Sequence, residues 1–380
     1  MTLILTEDQE LLAKTARDFA TAKSPVKRLR DLRDANDATG FSRGLWKEMA
    51  ELGWVGIPFP EEVGGAEMGL AELAVVLEAL GRQLAPEPIL STVLLAGQAL
   101  LLGGSPAQRA AWLPGVTAGD KLLALAYQEA RSRYAVQHVE TRAVGDGDGW
   151  RLTGEKVQVL DGASADAWIV SARISGEVDD ADGVSLFLVP ADAAGVTVTP
   201  QSRVDSRAAA IVAFDGVAVA ADALVGEAGQ GAALLARVVD MATAGICAEM
   251  LGSMSEAFDR TLQYLKDRKQ FGVPIGSMQA LKHRAAEMFI EVELARSCTL
   301  AAVRALDAGA PDAAKLVSLA KARCSDAGML VANEAIQMHG GIGMTDEHEI
   351  GFFLKRARAA EMSFGDAAWH RDRWARLEGY

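Results

Sequence analysis

The chain lacks an excess of positive charge. Its 380 residues carry a formal net charge of −13 at pH 7. This balance argues against a nucleic-acid partner, because a nucleic-acid-binding surface needs a basic patch. A few arginines can still gather around an anionic small molecule. Half of the residues are hydrophobic, and single cores stop growing near roughly 250–300 residues, so we expect more than one structural layer or domain.

Cysteines and long apolar runs are also scarce. The three cysteines, Cys247, Cys298 and Cys324, are odd in number and lack metal-ligand spacing, which predicts buried free thiols and no metal site. The apolar run 90–102 is too short to span a membrane. The first seven residues lack the basic region and apolar core of a secretory signal. We therefore expect a soluble cytoplasmic protein with no membrane segment.

Three regions follow one another along the chain. Residues 1–120 show helical spacing of apolar residues and predict an N-terminal helical domain. Residues 121–226 change to short apolar runs between Gly and Asp clusters and predict a middle antiparallel β-barrel or sandwich. Residues 227–380 return to long helical patterns. The order predicts an α+β protein. Strands are expected at 150–156, 167–173, 184–190, 196–199 and 211–214, and the long helices at 231–269, 279–306 and 311–339.

Two short segments lie where helical patterns end. Residues 268–272 place an arginine and a phenylalanine before a glycine, and residues 337–343 place a glutamine before adjacent glycines. Arginine binds phosphate through two parallel charged hydrogen bonds, and glycines let backbone N–H groups approach a pyrophosphate. Taken alone, the second segment is typical of an ordinary helix C-cap.

Together and in this order, the two segments resemble the FAD-binding signatures of the acyl-CoA dehydrogenase family. The resemblance covers essentially the whole chain and is strongest at 264–281 and 337–345. Residues 125–129 and 365–371 are similar to members like the small subunit of pimeloyl-CoA dehydrogenase. It implies an N-terminal helical domain, a middle β-domain and a C-terminal four-helix bundle. It also implies FAD as the cofactor, an acyl-CoA substrate that gains an α,β double bond, and an electron-transferring flavoprotein as the electron acceptor. The implied assembly is a homo- or hetero-oligomer, either a dimer or a tetramer, in which the two segments reach a neighbour's flavin.

The resemblance implies these cofactor-binding roles. The pyrophosphate and adenine side of FAD meets the first segment, the ADP moiety meets the second, and two strands of the middle domain face the flavin ring. The residues implied are Arg268, Phe271 and Gln279 for the first group, Gln337, Met338, His339, Gly340 and Gly341 for the second, and Tyr127, Gln128 and Gln158 for the third.

The chain departs from the family at the catalytic base, which is usually a glutamate before the last helix. That position holds Gly365, and the next residue, Asp366, is the candidate base. The alternative is that Asp366 is only a helix N-cap. Some relatives carry the glutamate on an earlier helix, where this chain has Ala242. Asp240 and Glu249 lie nearby in sequence, and we expect both to be solvated or paired carboxylates.

The middle domain departs as well. Gln158 replaces an aromatic residue and Leu160 replaces a hydroxyl at the positions that face the flavin ring in the family. The strand 126–129 keeps polar groups able to reach the ring, but the usual glycine-rich continuation is replaced by residues 130–134, Ala-Arg-Ser-Arg-Tyr. The half of the site that holds the ring therefore departs further from the family than the half that holds ADP.

Three functions remain open. The chain is an FAD-dependent acyl-CoA dehydrogenase that uses Asp366 as its base, or it is the FAD-clamping scaffold subunit of a mixed-chain dehydrogenase whose partner supplies the glutamate. The third is another reaction on the same fold, a flavin oxidase or monooxygenase, because fold alone does not settle function.

Overall fold

The computed structural model describes residues 4–380. Their secondary structure follows the predicted order of helices, strands and helices, which confirms the α+β class. The helices are α1 (Glu7–Lys23), α2 (Val26–Asp34), α3 (Arg43–Glu51), α4 (Leu70–Arg82), α5 (Gln98–Gly103), α6 (Pro106–Thr117), α7 (Gly231–Asp267), α8 (Gln279–Asp307), α9 (Ala313–His339), α10 (Ile350–Met362) and α11 (Ala367–Glu378), with a π-helical segment at Ile89–Gly97. The strands are β1 (Leu123–Ala126), β2 (Arg142–Asp146), β3 (Gly149–Leu160), β4 (Ala167–Arg173), β5 (Val184–Pro190), β6 (Val196–Gln201), β7 (Ala209–Ala220), β8 (Leu224–Val225), β9 (Lys269–Gln270) and β10 (Val273–Pro274).

The described chain divides into two compact units, and each is discontinuous in sequence. The helical unit comprises the chain up to Asp31, Gly69–Ala85 and Thr243–Tyr380. The sheet unit comprises Leu32–Met68 and Pro86–Ala242. The three domain boundaries drawn from the sequence stay a prediction.

The sheet unit is built on an eight-stranded sheet of order β6-β7-β3-β2-β4-β5-β8, with β1 beside β4. The strands β4 and β5 are buried along almost their whole length, as expected for apolar runs covered on both faces. Most pairings are antiparallel, as predicted. The pairing of β1 with β4 and the single pair between β2 and β4 are parallel, so the sheet is mixed. Its core contains the buried side chains of Trp168, Phe187 and Phe214.

The helical unit is organised around α7, α8 and α9. Helices α4 and α7 approach closely where both carry glycine: a Cβ added at Gly252 would lie 1.9 Å from the carbonyl oxygen of Glu78, and one at Gly81 would lie 2.2 Å from that of Glu249. Glycine at both positions therefore permits this close packing of the two helices. The carboxylate of Asp307 accepts hydrogen bonds from the first backbone N–H groups of α4 and satisfies donors that a helix start leaves unpaired.

Helix α7 is long and apolar enough to cross a membrane by length and composition, because its 37 residues include a window of mean hydropathy 1.5. That window is 61% buried inside the protein, as in the core helix of a globular fold. Charged residues interrupt the apolar sequence of α7, so the helix contains no uninterrupted apolar run of membrane-spanning length. All three cysteines are free, as predicted; Cys247 and Cys324 are buried, whereas Cys298 is only half-buried.

Candidate cofactor and base site

The first predicted segment is an exposed hairpin directly after α7. Arg268 lies one residue past the helix end, and its carbonyl oxygen accepts a hydrogen bond from the N–H of Ile275 at 2.8 Å, which closes the hairpin of β9 and β10. Within residues 4–380 the Arg268 guanidinium is exposed and makes no hydrogen bond or ion pair. The Phe271 side chain is 92% exposed, and its backbone has a φ of +53°. Gln279 begins α8 and is exposed.

The second predicted segment is the C-terminal end of α9. Gln337 is exposed, Gly340 has a φ of +65°, and a Cβ added at Gly340 or Gly341 would meet nothing within 4 Å. Met338 and His339 are buried, and Nδ1 of His339 lies 2.7 Å from the carbonyl oxygen of Ala335. A molecule at this surface therefore meets the Gln337 amide and the glycine backbone. The side chains of Met338 and His339 face inward. Their predicted contact with the cofactor would therefore have to come from their backbone atoms, and it stays a prediction.

A ring stack brings the two segments together. Tyr264, four residues before Arg268, stacks on His339 with a distance of 4.4 Å between ring centroids, and the ring centroids of His339 and His348 are 4.8 Å apart. Burial lowers the pKa of His339, with smaller effects from His348 and Arg260, so the imidazole is neutral at pH 7. An unpaired guanidinium, an exposed aromatic ring and open glycine backbone thus meet at one end of the helical unit. These residues fit a phosphate-bearing dinucleotide such as FAD.

The ring-facing positions meet in the sheet unit. The N–H of Val157 donates to the carbonyl oxygen of Gln128 at 2.8 Å, which places Gln158 beside that strand. Gln158 is exposed with a φ of +53°, at an irregularity in the pairing of β3 with β7. Tyr127 is buried; burial raises the pKa of its hydroxyl, and a hydrogen bond with Gln128 opposes the rise. Gln158 is therefore exposed, Gln128 is half-buried and Tyr127 is buried.

Glu129 is turned into the sheet. Its Oε1 accepts hydrogen bonds from Lys156 Nζ at 2.6 Å and from the Thr141 hydroxyl at 2.7 Å, and Lys156 also donates to Ser171 Oγ. Burial acts to raise the pKa of Glu129, but Lys156 and Thr141 outweigh it and hold that pKa below its usual value. Burial lowers the pKa of Lys156 to about 8. Both groups are charged at pH 7, so Glu129 is a paired core residue whose carboxylate is engaged within the sheet. Contact of the strand 126–129 with the flavin ring stays a prediction.

The turn at the family's base position leaves no space for a glutamate. Phe364 has a φ of +59° and Gly365 a φ of +115°. A Cβ at Gly365 would lie 2.6 Å from Cε3 of Trp369 and 2.7 Å from Nε2 of His370. Asp366 is the N-cap of α11, and its Oδ1 accepts the N–H of Trp369 at 2.8 Å. The structure thus gives Asp366 a capping role, and its role as a base stays a prediction.

A buried lysine that the sequence analysis missed holds this turn. Nζ of Lys321 donates to the carbonyl oxygens of Gly365 at 2.7 Å and Glu361 at 2.8 Å and to Ser325 Oγ at 3.1 Å. Burial lowers the pKa of Lys321 to about 8 and that of His370 to about 3. The signal in the sequence was a lysine on the apolar face of α9, between the buried residues Val317 and Cys324.

The earlier helix offers no free base either. Glu249 on α7 is buried and pairs with the buried Arg356 at 2.9 Å, so it is a paired carboxylate, as expected. The family's alternative position holds Ala242, also buried. An ion-paired carboxylate away from solvent stabilises its partner's charge and is poorly placed to accept a proton from a substrate.

Proteins of one family match this chain along its length. Three acyl-CoA dehydrogenase domains match the chain: the N-terminal domain at 6–120, the middle domain at 124–217 and the C-terminal domain at 229–377. The probable acyl-CoA dehydrogenase YngJ of Bacillus subtilis is 31% identical over 98% of both chains. A chain of the ChsE4-ChsE5 complex from Mycobacterium tuberculosis is 30% identical over 100% of both chains, with a TM-score of 0.89. A chain in the structure of the electron transferring flavoprotein of Acidaminococcus fermentans is 26% identical over 100% of both, with a TM-score of 0.93. The chain therefore belongs to the acyl-CoA dehydrogenase family, FAD-dependent oxidoreductases that act on the CH–CH group of acyl-CoA thioesters.

Proposed function

We propose that this chain is the FAD-clamping subunit of a mixed-chain acyl-CoA dehydrogenase, in which a partner chain supplies the catalytic base. The observation that carries the proposal is the turn at Gly365. The family's glutamate position is a glycine whose missing side chain would collide with Trp369 and His370, and the nearest carboxylate, Asp366, caps α11.

The roles divide between two halves of the site. FAD, when bound, supplies the acceptor for a hydride from the β-carbon of the acyl chain. Arg268 binds phosphate through its guanidinium, Phe271 covers the adenine side, and the backbone at Gly340 and Gly341 lets the pyrophosphate approach closely. Gln279 and the Gln337 amide add polar contacts. Because this clamp is accessible and the base is missing, the chain is suited to hold the ADP moiety of a flavin. A partner chain would then bind the flavin ring and supply the catalytic base.

The relatives support the finer points of the proposal. One structure that this chain matches over its full length is named as a complex of two proteins, ChsE4 and ChsE5, which favours a hetero-oligomer, a dimer or tetramer. The match to a structure named for an electron transferring flavoprotein favours such a flavoprotein as the electron acceptor. We further propose a cytoplasmic location and a subtype similar to the small subunit of pimeloyl-CoA dehydrogenase.

The second candidate is a self-sufficient dehydrogenase with Asp366 as its base. It is favoured by the position of Asp366, one residue from the family's base and only half-buried. A small movement of the Phe364–Asp366 turn would be needed, because the carboxylate now accepts the Trp369 N–H and geometry decides before pKa does.

Anaerobic bleaching of the flavin separates the two candidates. The purified single chain, reconstituted with FAD, is mixed with short, branched, dicarboxylic and steroid-type acyl-CoA thioesters. We expect slow or no bleaching, because loss of a base removes about 10²–10⁴-fold of proton-transfer catalysis, and rapid bleaching once the partner is co-expressed. Rapid and complete bleaching of the single chain by any one thioester contradicts the proposal and selects the second candidate.

A further inference from the structure

The sheet unit contains a cleft that none of the assigned roles uses. Its volume is about 290 Å³. One wall is the end of α2 and the segment after it, up to Gly40; the other is the connection from β6 to β7, residues 200–209. All of its lining residues belong to the sheet unit. The cleft has room for about ten water molecules at roughly 30 Å³ each, and therefore for a small metabolite.

Three of the residues that line the cleft are arginines. Arg33, Arg203 and Arg207 line it, and Asp37 is the one carboxylate among its lining residues. Oδ1 of Asp37 accepts the backbone N–H groups of Thr39 and Gly40 at 2.9 and 2.8 Å, so that carboxylate is already engaged. Arg33 and Arg203 also have acidic neighbours, Asp34 at 2.7 Å and Asp205 at 3.4 Å, so the positive charge of the lining is partly compensated. The lining still presents three guanidinium groups around one concave surface.

Two of the three arginines are held in place. The side chain of Arg203 is 13% exposed and lies 3.4 Å from the buried carboxylate of Asp205, and Arg207 is buried. Side chains that are already ordered lose little conformational freedom when a ligand binds. The walls also include Asn36 and Ser206, whose φ angles are +48° and +63°. Backbone strain of this kind costs free energy and clusters at ligand sites.

The cleft adjoins the strand that the family turns toward the flavin ring. Oε1 of Gln201, a lining residue, accepts the N–H of Gln158 at 3.1 Å. Ala209, also a lining residue, pairs with Leu160 across the sheet. None of the residues of the ADP clamp lines the cleft. A ligand here would therefore lie beside that strand of the sheet unit.

We propose that this cleft binds a small molecule with two or more negative charges. Planar guanidinium forks recognise phosphate and carboxylate oxygens through paired charged hydrogen bonds, so a phosphate ester and a dicarboxylate are the two sources of this chemistry. The inference does not depend on which chain supplies the catalytic base.

The test is calorimetric titration of the full-length, FAD-saturated protein at low salt with inorganic pyrophosphate, ribose 5-phosphate and glutarate in separate experiments. At least one of them binds saturably, and the order among them identifies phosphate or carboxylate as the preferred group. Arg203→Gln weakens that binding about tenfold or more, the loss expected for a hydrogen bond to a charged group. Arg203→Lys keeps the charge but not the planar guanidinium, so its affinity for the anion lies between those of the parent and Arg203→Gln. Higher salt weakens the binding of the parent.

Matched variants keep the experiment decisive. Arg151→Gln removes a guanidinium from the same unit whose side chain is 52% exposed and paired with Asp146, and it leaves the affinity unchanged. Arg268→Ala also leaves it unchanged, although it lowers FAD retention, so a failure of the cofactor assignment is distinguishable from a failure of this one. If Arg203→Gln does not fold, Arg33→Gln carries the test. Absence of binding by all three anions up to millimolar concentration, or an equal loss in Arg151→Gln, overturns the proposal.

Discussion

The guanidinium of Arg268 stands exposed at the end of α7 and makes no hydrogen bond or ion pair with any residue from 4 to 380. We expect this guanidinium, which has the exposed Phe271 nearby in sequence, to bind a phosphate of the cofactor. Replacing Arg268 with Ala removes a contact worth about 1.5–3 kcal/mol, so the flavin-containing assembly should bind FAD about tenfold or more weakly. Equilibrium dialysis or flavin fluorescence measures the affinity.

The control for this substitution is Arg376→Ala. Its side chain is 61% exposed on α11 and pairs with Asp372, and such surface pairs contribute little to stability. FAD affinity that is the same in Arg268→Ala, Arg376→Ala and the parent would remove Arg268 from the cofactor site.

Asp366 illustrates how one carboxylate can be a cap or a base. Asn caps a helix about as well as Asp does, whereas Ala costs about 1 kcal/mol at this position. We expect Asp366→Asn to keep the parent's free energy of unfolding and, in the complex with the co-expressed partner, the parent's rate of flavin reduction. Asp366→Ala should lose about 1 kcal/mol of stability with no separate effect on that rate. Urea denaturation and stopped-flow bleaching measure the two properties. A folded Asp366→Asn variant that loses flavin reduction would identify Asp366 as the base.

At the scale of the elements, the turn between α10 and α11 depends on Lys321 of α9. The unfolded chain keeps the lysine protonated up to a pKa of about 10.5, whereas burial lowers the pKa to about 8 in the fold. Between these values the unfolded state binds more protons, so the free energy of unfolding gains a contribution that rises with pH. We expect the parent to gain stability relative to Lys321→Met as the pH rises from 8 to 10, by up to about 1.4 kcal/mol per pH unit.

Urea denaturation at several pH values measures this difference. Lys27→Met is the matched control, because that side chain is 71% exposed and pairs with Asp31 on the same helix. A difference between the parent and Lys321→Met that stays constant with pH would show that the ammonium is not buried as described.

The elements themselves were largely predictable. β4 and β5 have the bounds that the sequence predicted, and both ends of α7, α8 and α9 lie within two residues of the predicted bounds. Apolar periodicity and Gly or Pro near the ends determine these bounds locally. The parallel pairing of β1 with β4 was not predictable, since register between distant strands depends on tertiary packing.

The candidate site divides in the same way. The exposed half, Arg268 to Gly272 and the glycines after His339, follows from residue type and position. The buried half does not. The inward orientation of His339, the pairing of Glu129 with Lys156 and the contacts of Lys321 each join residues that are far apart in sequence. A lysine in an apolar pattern signals that a buried partner exists, but the sequence does not identify that partner.

At the scale of the whole molecule, the accessible clamp and the missing base predict the ratio of FAD to protein chains in the assembly. This chain presents Arg268 and the glycine backbone for a flavin, whereas its own ring-facing strand has Gln158 and Leu160 in place of an aromatic residue and a hydroxyl, and bulky residues replace the glycine-rich loop; Arg133 there holds a φ of +47°. A mixed-chain enzyme built from such a subunit has complete sites only where this clamp meets the partner's ring-binding half.

We expect the co-purified complex to contain about one FAD for every two chains, and Arg268→Ala in this chain alone to lower that content about tenfold at limiting FAD. Absorbance of released flavin against protein concentration measures the ratio, and native mass spectrometry gives the subunit composition. One FAD per chain, or a content unaffected by Arg268→Ala in this chain, would show that each chain holds its own flavin and would contradict the shared site.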